Sequence, residues 1–505
     1  MRYLALVFLT CITSLGAAQK LDYVWLIGDN NNTIDTTHGG ATIDFNYHPI
    51  KAVYHYRELN FRLANCSICD TSGQLLFYSN GCDLAGSDDK ILYNGDGINP
   101  GLWHNIICDS NNDGYATGYP SMAILPNPDT FGIYIMFHQS IKYSSTPIEY
   151  AFTDKLLYTR IAKESGQTKT LEVFEKNQEI IQDSLSVGEL SAVKHANGKD
   201  WWIIQPRRNS NQFYVFLFTK DGVVDTLLQT IGDPSPPEKE GYGQTTFSTF
   251  GDKMVRYYPD NPIRLYGFDR STGLFTDYQT FILDTGNTID FDGGCCFSPS
   301  GKYLYIAALT NIYQFDMSAS DIGSTQTTVA TWDGFVDPIA ISFWHAQLGP
   351  DCKIYINGGG DTKYYHIIHN PDEHGIACNV EQRGLVLPTP SGASIPYFPN
   401  YRLGPVDNPG VPCSPVVATQ QPIVTTPRCS VWPNPASNQL NFEFSNSSIK
   451  KIQLTDAFGR TARQLNLSGT NNTCTIPVSD LISGLYIWQV EDSDNKVSIG
   501  KVLIH

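Results

Sequence analysis

One pattern of polar and apolar positions recurs through the middle of the chain. A turn rich in Asp, Pro and Gly precedes a short run of aromatic and β-branched residues, as in Phe297-Ser-Pro-Ser-Gly-Lys-Tyr-Leu-Tyr-Ile306 and Leu348-Gly-Pro-Asp-Cys-Lys-Ile-Tyr-Ile356. Such runs, bounded by turn residues, predict short β-strands joined by tight connections. Six copies lie between residues 20 and 405, and the other four begin at Asp70, Pro126, His195 and Phe247.

The copies are spaced by about 50 to 70 residues, which is the period of a repeated β-unit. A single hairpin cannot bury its own apolar face, so each copy predicts one four-stranded blade of a β-propeller. We expect seven blades of roughly 55 residues, the last formed by residues 23–27 joining residues 397–403. The Phe297 and Leu348 copies also resemble YVTN and WD40-like propellers, a resemblance that implies a fold and little about function.

Residues 429–505 form a second all-β region with three ordered motifs. These are Trp432-Pro433-Asn434-Pro435-Ala436, then Asp456-Ala-Phe-Gly459-Arg460, then Gly484-Leu-Tyr486. The order resembles the C-terminal sorting domain (type A) of the bacterial type IX secretion system. The resemblance implies a small β-sandwich that the type IX machinery recognises and removes after export. The rest of the protein would then be released or attached outside the cell. The sorting signal would then consist of Trp432, Pro433, Asn434, Pro435, Gly459, Gly484 and Tyr486.

An Ig-like or fibronectin-like spacer is the alternative interpretation of this region. Such a sandwich has about seven strands in roughly 100 residues. The shorter length and the order of the motifs favour the sorting domain.

The amino terminus agrees with export. Met1-Arg2 supplies a positive charge, an apolar run follows, and Gly16-Ala17-Ala18 precedes Gln19, so we expect a signal peptide cleaved near Ala18. Later apolar runs fall short of the roughly 18 residues that span a bilayer, so we expect no transmembrane segment. A Pro-, Thr- and Val-rich stretch predicts a linker. The predicted organisation is a signal peptide at 1–18, a propeller at 19–405, a linker at 406–428 and a sorting domain at 429–505.

The charge and the cysteine content bear on the possible ligands and on the disulfide bonds. The chain has 50 acidic and 34 basic side chains and a net charge of −16, which would repel phosphate backbones and argues against nucleic-acid binding. Twelve cysteines are present, and loss of Cys11 with the signal peptide leaves an odd number in an oxidising compartment. Cys352/Cys378 and Cys429/Cys474 are plausible disulfide pairs because each lies within one local unit.

One segment has the first half of a calcium loop. Asp109, Asn111 and Asp113 occupy positions 1, 3 and 5, and Gly114 occupies position 6. Position 12 is Pro120 where a bidentate Glu is expected, so the alternative is a solvated turn rich in Asp and Asn. Calcium is the only cofactor that the sequence suggests.

Two further clusters have simple structural explanations. Cys66, Cys69, Cys82, His104 and Cys108 could be read as zinc ligands, but in an exported chain disulfides or buried thiols explain them better, and we expect no zinc. His366 and His369 are three residues apart, so in a strand they would point to opposite faces. We expect ordinary packing or pairing of these histidines and of His345.

The motifs of serine hydrolases, zinc proteases and phosphate-binding loops are absent from the sequence. Their absence does not exclude catalysis, because propeller enzymes assemble their sites from different blades, but we expect a non-catalytic propeller that presents a surface for a glycan or protein ligand. Stacking residues on that surface could come from the tryptophans, although most should fill the core: Trp103, Trp201, Trp202, Trp332 and Trp344. The alternative is an extracellular propeller enzyme, resembling a lactonase, lyase or glycosidase, with its site in the central channel.

Overall fold

The fold is taken from a computed structural model with side chains. It divides the chain into two compact units, Met1–Pro415 and Val416–His505. The structure describes residues 19–28, 39–413 and 429–505, apart from 58, 62–63, 111–113, 116–117, 145–149, 164–170, 236–240, 242, 260–261, 287–292, 361, 392–394, 445–448, 457–459, 468–472 and 493–496. The predicted signal peptide and most of the predicted linker lie outside the described residues.

The described part of the first unit contains seven successive antiparallel sheets, and in each the strands follow one another in chain order. Sheets 1 and 2 have three strands and sheets 3 to 7 have four. Sheet 1 is β1 (Val24–Gly28), β2 (Gly40–Asp44) and β3 (Lys51–Tyr54); sheet 2 is β4 (Cys66–Cys69), β5 (Leu75–Ser79) and β6 (Leu84–Gly86); sheet 3 is β7 (Met122–Pro126), β8 (Ile133–Ser144), β9 (Tyr150–Lys163) and β10 (Leu171–Leu185).

The remaining four sheets keep the same plan. Sheet 4 is β11 (Ser191–Lys194), β12 (Trp201–Pro206), β13 (Gln212–Thr219) and β14 (Gly222–Thr230); sheet 5 is β15 (Gln244–Phe247), β16 (Lys253–Tyr257), β17 (Ile263–Asp269) and β18 (Leu274–Phe281). Sheet 6 is β19 (Gly294–Phe297), β20 (Tyr303–Ala308), β21 (Asn311–Asp316) and β22 (Thr327–Thr331); sheet 7 is β23 (Ala346–Leu348), β24 (Ile354–Asn357), β25 (Thr362–Ile368) and β26 (Val380–Ser391).

The repeated turns of the sequence lie where the first strand of a sheet meets the second, in sheets 2 to 7. In sheet 6, Gly301 N donates to Ser298 O at 2.8 Å and Ser298 N donates to Tyr303 O at 2.8 Å. Gly301 has φ +68°, a left-handed conformation that glycine adopts without steric cost. The turn of sheet 7 uses Cys352, at φ +67°, in the equivalent place. Each copy therefore forms the first hairpin of one sheet, and of the six four-stranded blades predicted from the copies, five have four described strands and sheet 2 has three.

The first strands of neighbouring sheets lie side by side. Close approaches join β4 to β7, β11 to β15, β15 to β19 and β19 to β23. The other strands of each sheet extend away from this shared axis, which is the arrangement of a β-propeller. Aromatic side chains fill the space between sheets, as where Phe137 meets Phe218 with ring centroids 5.2 Å apart and Phe213 meets Tyr266 at 5.3 Å.

Sheet 1 departs from the repeat. Cys69 N donates to Leu21 O at 2.8 Å, and Ser67 Oγ donates to Val24 O at 3.2 Å. Residue numbers therefore rise along β1 as they fall along β4, so these two strands run in opposite directions. The predicted number of seven blades stays a prediction.

The predicted seventh blade, built from both ends of the chain, is wrong in its pairing. β1 pairs with β2, Val24 lying opposite Asp44, and the described residues 395–403 form no strand. Pro396 and Pro399 lack the N–H groups that a ladder needs, which explains why this segment cannot complete a sheet. Sheet 7 packs on sheet 1 instead, with the Tyr355 ring 5.5 Å from Trp25 and 5.4 Å from Phe45.

Residues 395–403, the closing segment, cross the first strands of several sheets. Tyr401 Oη donates to Ile124 O at 2.7 Å, in sheet 3, and Tyr397 Oη accepts a hydrogen bond from Ala192 N at 3.1 Å, in sheet 4. Asn400 Nδ2 donates to Thr249 O at 2.8 Å, beside sheet 5, and Gln347 Nε2 of sheet 7 donates to Phe398 O at 3.4 Å. The segment thus ties non-adjacent sheets together.

The second unit has seven described strands in two sheets. One sheet has the order β27 (Cys429–Trp432), β28 (Gln439–Phe444), β31 (Thr473–Pro477); the other has the order β30 (Thr461–Asn466), β29 (Ile449–Asp456), β32 (Gly484–Asp492), β33 (Val497–Ile504). Phe442 of the first sheet meets Trp488 of the second edge to face at 6.0 Å, and both belong to one buried core. The predicted sandwich is confirmed.

The described helices are short: α1 (Leu102–His104), a π-helix (Asn105–Ser110) and two 3₁₀ turns (Gly323–Thr325 and Gly375–Cys378). None of them is long and apolar enough to cross a membrane.

Both predicted disulfides are wrong. Cys352 is bonded to Cys413, with Cα atoms 5.2 Å apart, because the chain after the closing segment returns to the turn of sheet 7; Cys378 is buried and free. Cys474 is also free. Its strand and that of Cys429 flank β28 on opposite sides, so they are about 9 to 10 Å apart, beyond the reach of a disulfide.

Candidate functional site

The Trp432-Pro-Asn-Pro-Ala436 motif lies against the last strand of the chain. Asn434 Oδ1 accepts a hydrogen bond from Leu503 N at 2.9 Å, and Asn434 Nδ2 donates to Lys501 O at 3.2 Å. The backbone continues the contact: Ala436 N donates to Leu503 O at 2.8 Å, and His505 N donates to Ala436 O at 2.9 Å. The motif therefore covers part of the free edge of β33, an edge that would otherwise expose unpaired backbone groups.

The other two motifs meet at the neighbouring strands of the same sheet. Asp456 lies opposite Tyr486, and its carboxylate accepts from Arg460 N at 3.0 Å and from Arg460 Nε at 2.8 Å. Gly484 begins β32, and Tyr486 Oη donates to Ile482 O at 2.9 Å. Gly459 lies outside the described residues. All the described members of the predicted sorting signal thus belong to one small domain.

β32 and β33 have one buried face and one exposed face. Tyr486, Trp488, Val502 and Ile504 point into the core. Between them along the strands, Leu485 is 45% exposed, Ile487 39% and Leu503 37%, and Leu485 lies directly opposite Leu503. This leaves a small apolar strip on the outer face, beside the edge that the motif covers.

The closing segment is buried and fills one end of the propeller axis. Its side chains Ile395, Tyr397, Phe398, Tyr401 and Leu403 are at most 6% exposed. A cavity of about 70 Å³ remains between this segment and the first strands of sheets 4 to 7. That volume suits a few water molecules, whereas ligand sites occupy about 300 to 1,000 Å³.

Tyr119 extends the filled region. It is buried, its ring lies 4.7 Å from that of His345, and its hydroxyl donates to Pro396 O at 3.5 Å. Burial raises the pKa of Tyr119 well above its ordinary value, so it stays neutral. The central axis, where the alternative of a propeller enzyme would place its site, is packed with aromatic side chains where the structure describes it.

Two buried ion pairs hold charged groups in this region. Arg256 Nη2 lies 2.8 Å from Glu189 Oε2, and Arg256 Nε lies 3.2 Å from Glu189 Oε1. Arg402 of the closing segment forks onto Asp22, with Nη1 2.8 Å from Oδ2. Burial acts to lower the pKa of each arginine, but the carboxylate and neighbouring tyrosines together more than offset this, and the pKa is raised. Carboxylates held in this way stabilise the fold and are poorly placed for acid–base chemistry.

Two larger hollows among the described residues lie away from the axis. A groove of about 730 Å³ between sheets 3 and 4 is lined by aromatic, cationic and anionic side chains: Tyr158, Arg160, Glu175, Glu179, Lys220 and Asp221. A second cleft, of about 840 Å³, is more apolar and includes Phe250, Val411 and the Cys352–Cys413 disulfide. We call these the polar groove and the apolar cleft.

Of the three calcium candidates, only Asp109 lies in the described part of the chain. Asp109 lies in the π-helix, its Oδ1 3.5 Å from His104 Nε2, while Asn111 and Asp113 lie outside the described residues. Cys82 and Cys108 form a disulfide with Cα atoms 5.8 Å apart, which removes two ligands from the zinc alternative. Among the described residues no group of three metal-ligating side chains comes together.

The other sequence candidates take structural roles. His366 is buried, and burial lowers its pKa to about 4, whereas His369 faces outward with Nε2 2.7 Å from Glu381 Oε2. Trp201 and Trp202 are buried in the core of sheet 4. Trp103 packs on Tyr143 with ring centroids 5.0 Å apart.

Sequence reasoning missed one polar chain between sheets 1 and 2. Thr42 Oγ1 lies 2.8 Å from His55 Nδ1, His55 Nε2 lies 2.7 Å from Asp89 Oδ2, and Tyr78 Oη donates to Asp89 Oδ1 at 2.8 Å. Solvent reaches the imidazole and the carboxylate, each about one-quarter exposed. These residues are far apart in sequence and form no short motif, so only the fold brings them together.

Comparisons with known proteins identify the second unit. Residues 430–505 match the family of the secretion system C-terminal sorting domain. The type IX resemblance of this region is therefore confirmed, and the domain implies interaction with the secretion machinery and export to the cell surface or beyond. A search of curated proteins finds no match.

Solved structures give only distant likenesses. The β-propeller domain of Cps50 (Swd1) from Myceliophteria thermophila is 10% identical, with a TM-score of 0.36, and the match covers 64% of this chain and 88% of that one. A protein from Lactobacillus plantarum is 10% identical, with a TM-score of 0.35 and coverage of 91% and 100%. A luciferin-regenerating enzyme is 9% identical, with a TM-score of 0.32 and coverage of 66% and 95%. Likeness at this level says nothing about activity.

Proposed function

We propose that this protein is an exported β-propeller that presents a non-catalytic binding surface outside the cell, and that its C-terminal sorting domain delivers it there. The contrast in cavity volume carries the proposal: about 70 Å³ at the described axis, against about 730 and 840 Å³ in the two hollows away from it. Binding at the rim of the sheets needs no open channel.

The polar groove favours a glycan as the ligand. Tyr158 supplies an aromatic face, and sugar rings pack on such faces. Glu175 and Glu179 can accept hydrogen bonds from hydroxyl groups, and Arg160 and Lys220 can donate them. Arg160 is positioned by Phe174, whose ring centroid lies 4.8 Å from the guanidinium carbon. A protein ligand is the other class that we expect, and the apolar cleft would suit it better.

The role of the C-terminal domain in export is tested by removing residues 429–505. A chain that ends at residue 428 keeps every described strand of the propeller and should accumulate in the periplasm, while the full chain reaches the cell surface or the medium. Fractionation with antibody detection measures this. Normal surface display of the shortened chain would refute the sorting role.

Ligand binding is tested with the mature protein on a glycan array. We expect binding that Tyr158→Ala in the polar groove removes and that Phe250→Ala in the apolar cleft leaves unchanged. Binding lost only in Phe250→Ala would move the site to the cleft.

An extracellular enzyme is the second candidate, and the Thr42–His55–Asp89 chain is the observation that favours it. A hydroxyl, an imidazole and a carboxylate joined in this order can activate a nucleophile. A panel of chromogenic esters and glycosides decides the question. Turnover by the parent that is lost in both Thr42→Ala and His55→Ala would establish an enzyme, with its site between sheets 1 and 2 and away from the channel.

A further inference from the structure

Asn434 stands between two prolines at the point where the sorting motif meets the last strand. Proline has no N–H group, so of residues 433–435 only Asn434 carries a backbone donor. A normal strand pairing is impossible for this stretch. The Asn434 side chain replaces it, because its amide offers an acceptor oxygen and a donor nitrogen, the same two kinds of group that a peptide unit offers.

These two groups bind the backbone of β33 at alternate residues. The amide oxygen accepts from Leu503 N, and the amide nitrogen donates to Lys501 O. Two residues later, Ala436 N donates to Leu503 O and Ala436 O accepts from His505 N. On its other side β33 pairs with β32, Tyr486 lying opposite Val502 and Leu485 opposite Leu503. The terminal strand is thus held from both edges, and the outer edge is held by the motif.

The register of β33 decides which residues it shows to solvent. In the observed register Val502 and Ile504 are buried in the core and Leu503 is exposed. A shift of one residue would turn Val502 and Ile504 outward and bury Lys501 and Leu503, because side chains alternate between the faces of a strand. Ala436 is fully buried beside Ile504, so a larger side chain at that position would disturb the same contact.

We propose that Asn434 is a positioning residue: it fixes the register of the terminal strand, and the secretion machinery reads the strand so presented and not the asparagine. This inference rests on the sorting function proposed above. It assigns the centre of the Trp-Pro-Asn-Pro-Ala motif to the internal structure of the domain.

The test uses the full chain and two readouts. Hydrogen exchange followed by mass spectrometry reports the protection of Leu503 N–H and His505 N–H, and fractionation reports export. Asn434→Ala should speed exchange of Leu503 N–H by about fivefold, since one hydrogen bond contributes about 1 kcal/mol, and should lower export. Asn434→Asp keeps the acceptor for Leu503 N–H and loses the donor to Lys501 O, so both effects should be intermediate.

Asn438→Ala is the matched control. Asn438 is an exposed asparagine in the same segment, and its backbone carbonyl accepts from Val478 N, a contact that the substitution keeps. Exchange and export should both remain at the parent level.

Three results would overturn the inference. Loss of export in Asn434→Ala with unchanged exchange would mean that the machinery reads the asparagine directly. Faster exchange with normal export would mean that the register does not matter, and no change in either would mean that the contact does nothing. A failure of the sorting function itself would be recognised separately, because the chain that ends at residue 428 would then be exported normally.

Discussion

Two proline-containing segments complete the two units of this chain, and they do so by different means. The closing segment, with Pro396 and Pro399, crosses the propeller with its side chains buried. The sorting motif, with Pro433 and Pro435, lies on an exposed edge and holds one strand through an amide group and the backbone. In both places proline rules out regular pairing. We infer that the buried segment mainly stabilises its unit, whereas the exposed one mainly sets a register.

The largest effect should follow from breaking the ion pair that anchors the closing segment. In Asp22→Asn, Arg402 stays buried without its counter-ion, and such losses cost about 3 to 5 kcal/mol. Urea unfolding of the variant measures the change in free energy of unfolding. Asp221→Asn, which alters an exposed pair with Lys220, should have little effect. An equal loss in the two variants would mean that the closing segment contributes no special stability.

Acid should destabilise the propeller through two buried histidines. Burial lowers the pKa of His138 to about 3 and of His366 to about 4. Both folded pKa values lie below the unfolded value of about 6.5, so stability is complete above that pH and falls as the pH drops. Between pH 7 and pH 5, each histidine should lower the free energy of unfolding by about 2 kcal/mol.

The matching measurement compares the parent with His138→Gln between pH 7 and pH 5. The variant removes one titrating group, so its stability should fall by about 2 kcal/mol less than that of the parent over this range. Identical pH profiles would show that His138 is not held in its neutral form.

Lys194 should respond to pH in the same sense as the histidines, but in a higher pH range. Burial, helped by Arg270, lowers the pKa of Lys194 to about 8, and its ammonium lies 5.3 Å from the Trp201 ring centroid. The folded pKa is below the unfolded value, so the folded state releases this proton first and stability rises between about pH 8 and pH 10.5. At pH 7 the free energy of unfolding of Lys194→Met should exceed that of the parent by up to about 3 kcal/mol. If the free energy of unfolding of Lys194→Met rose between pH 8 and pH 10 as much as that of the parent, this account would be contradicted.

Much of the propeller could be predicted from the sequence because its signals are local. Gly73, Gly198, Gly251 and Gly301 all stand in the left-handed conformation at the predicted hairpin turns. The closing segment is predicted to join residues 23–27 in a last blade, whereas the role of its prolines appears only against the sheets that it crosses. The Cys352–Cys413 bond and the Thr42–His55–Asp89 chain depend on tertiary approach, which the spacing of residues does not encode.

The smallest effect concerns calcium, which we retain as a proposal at Asp109. The affinity of such a site should be no better than about 10⁻⁴ to 10⁻³ M. At 1 mM calcium the gain in stability would then be only about 0.4 to 1.4 kcal/mol. A calcium titration of the melting temperature, run beside Asp109→Ala, checks it. An equal shift in the parent and the variant would place any calcium elsewhere.

The second unit acts as the export signal, and the propeller is the domain that it exports. The most direct measurement attaches residues 406–505 to an unrelated periplasmic protein that carries its own signal peptide, in a host with the type IX machinery, and locates the fusion by fractionation. We predict that it appears at the cell surface or in the medium and that the same fusion with Asn434→Ala stays mostly in the periplasm. Retention of the unaltered fusion in the periplasm would contradict the account.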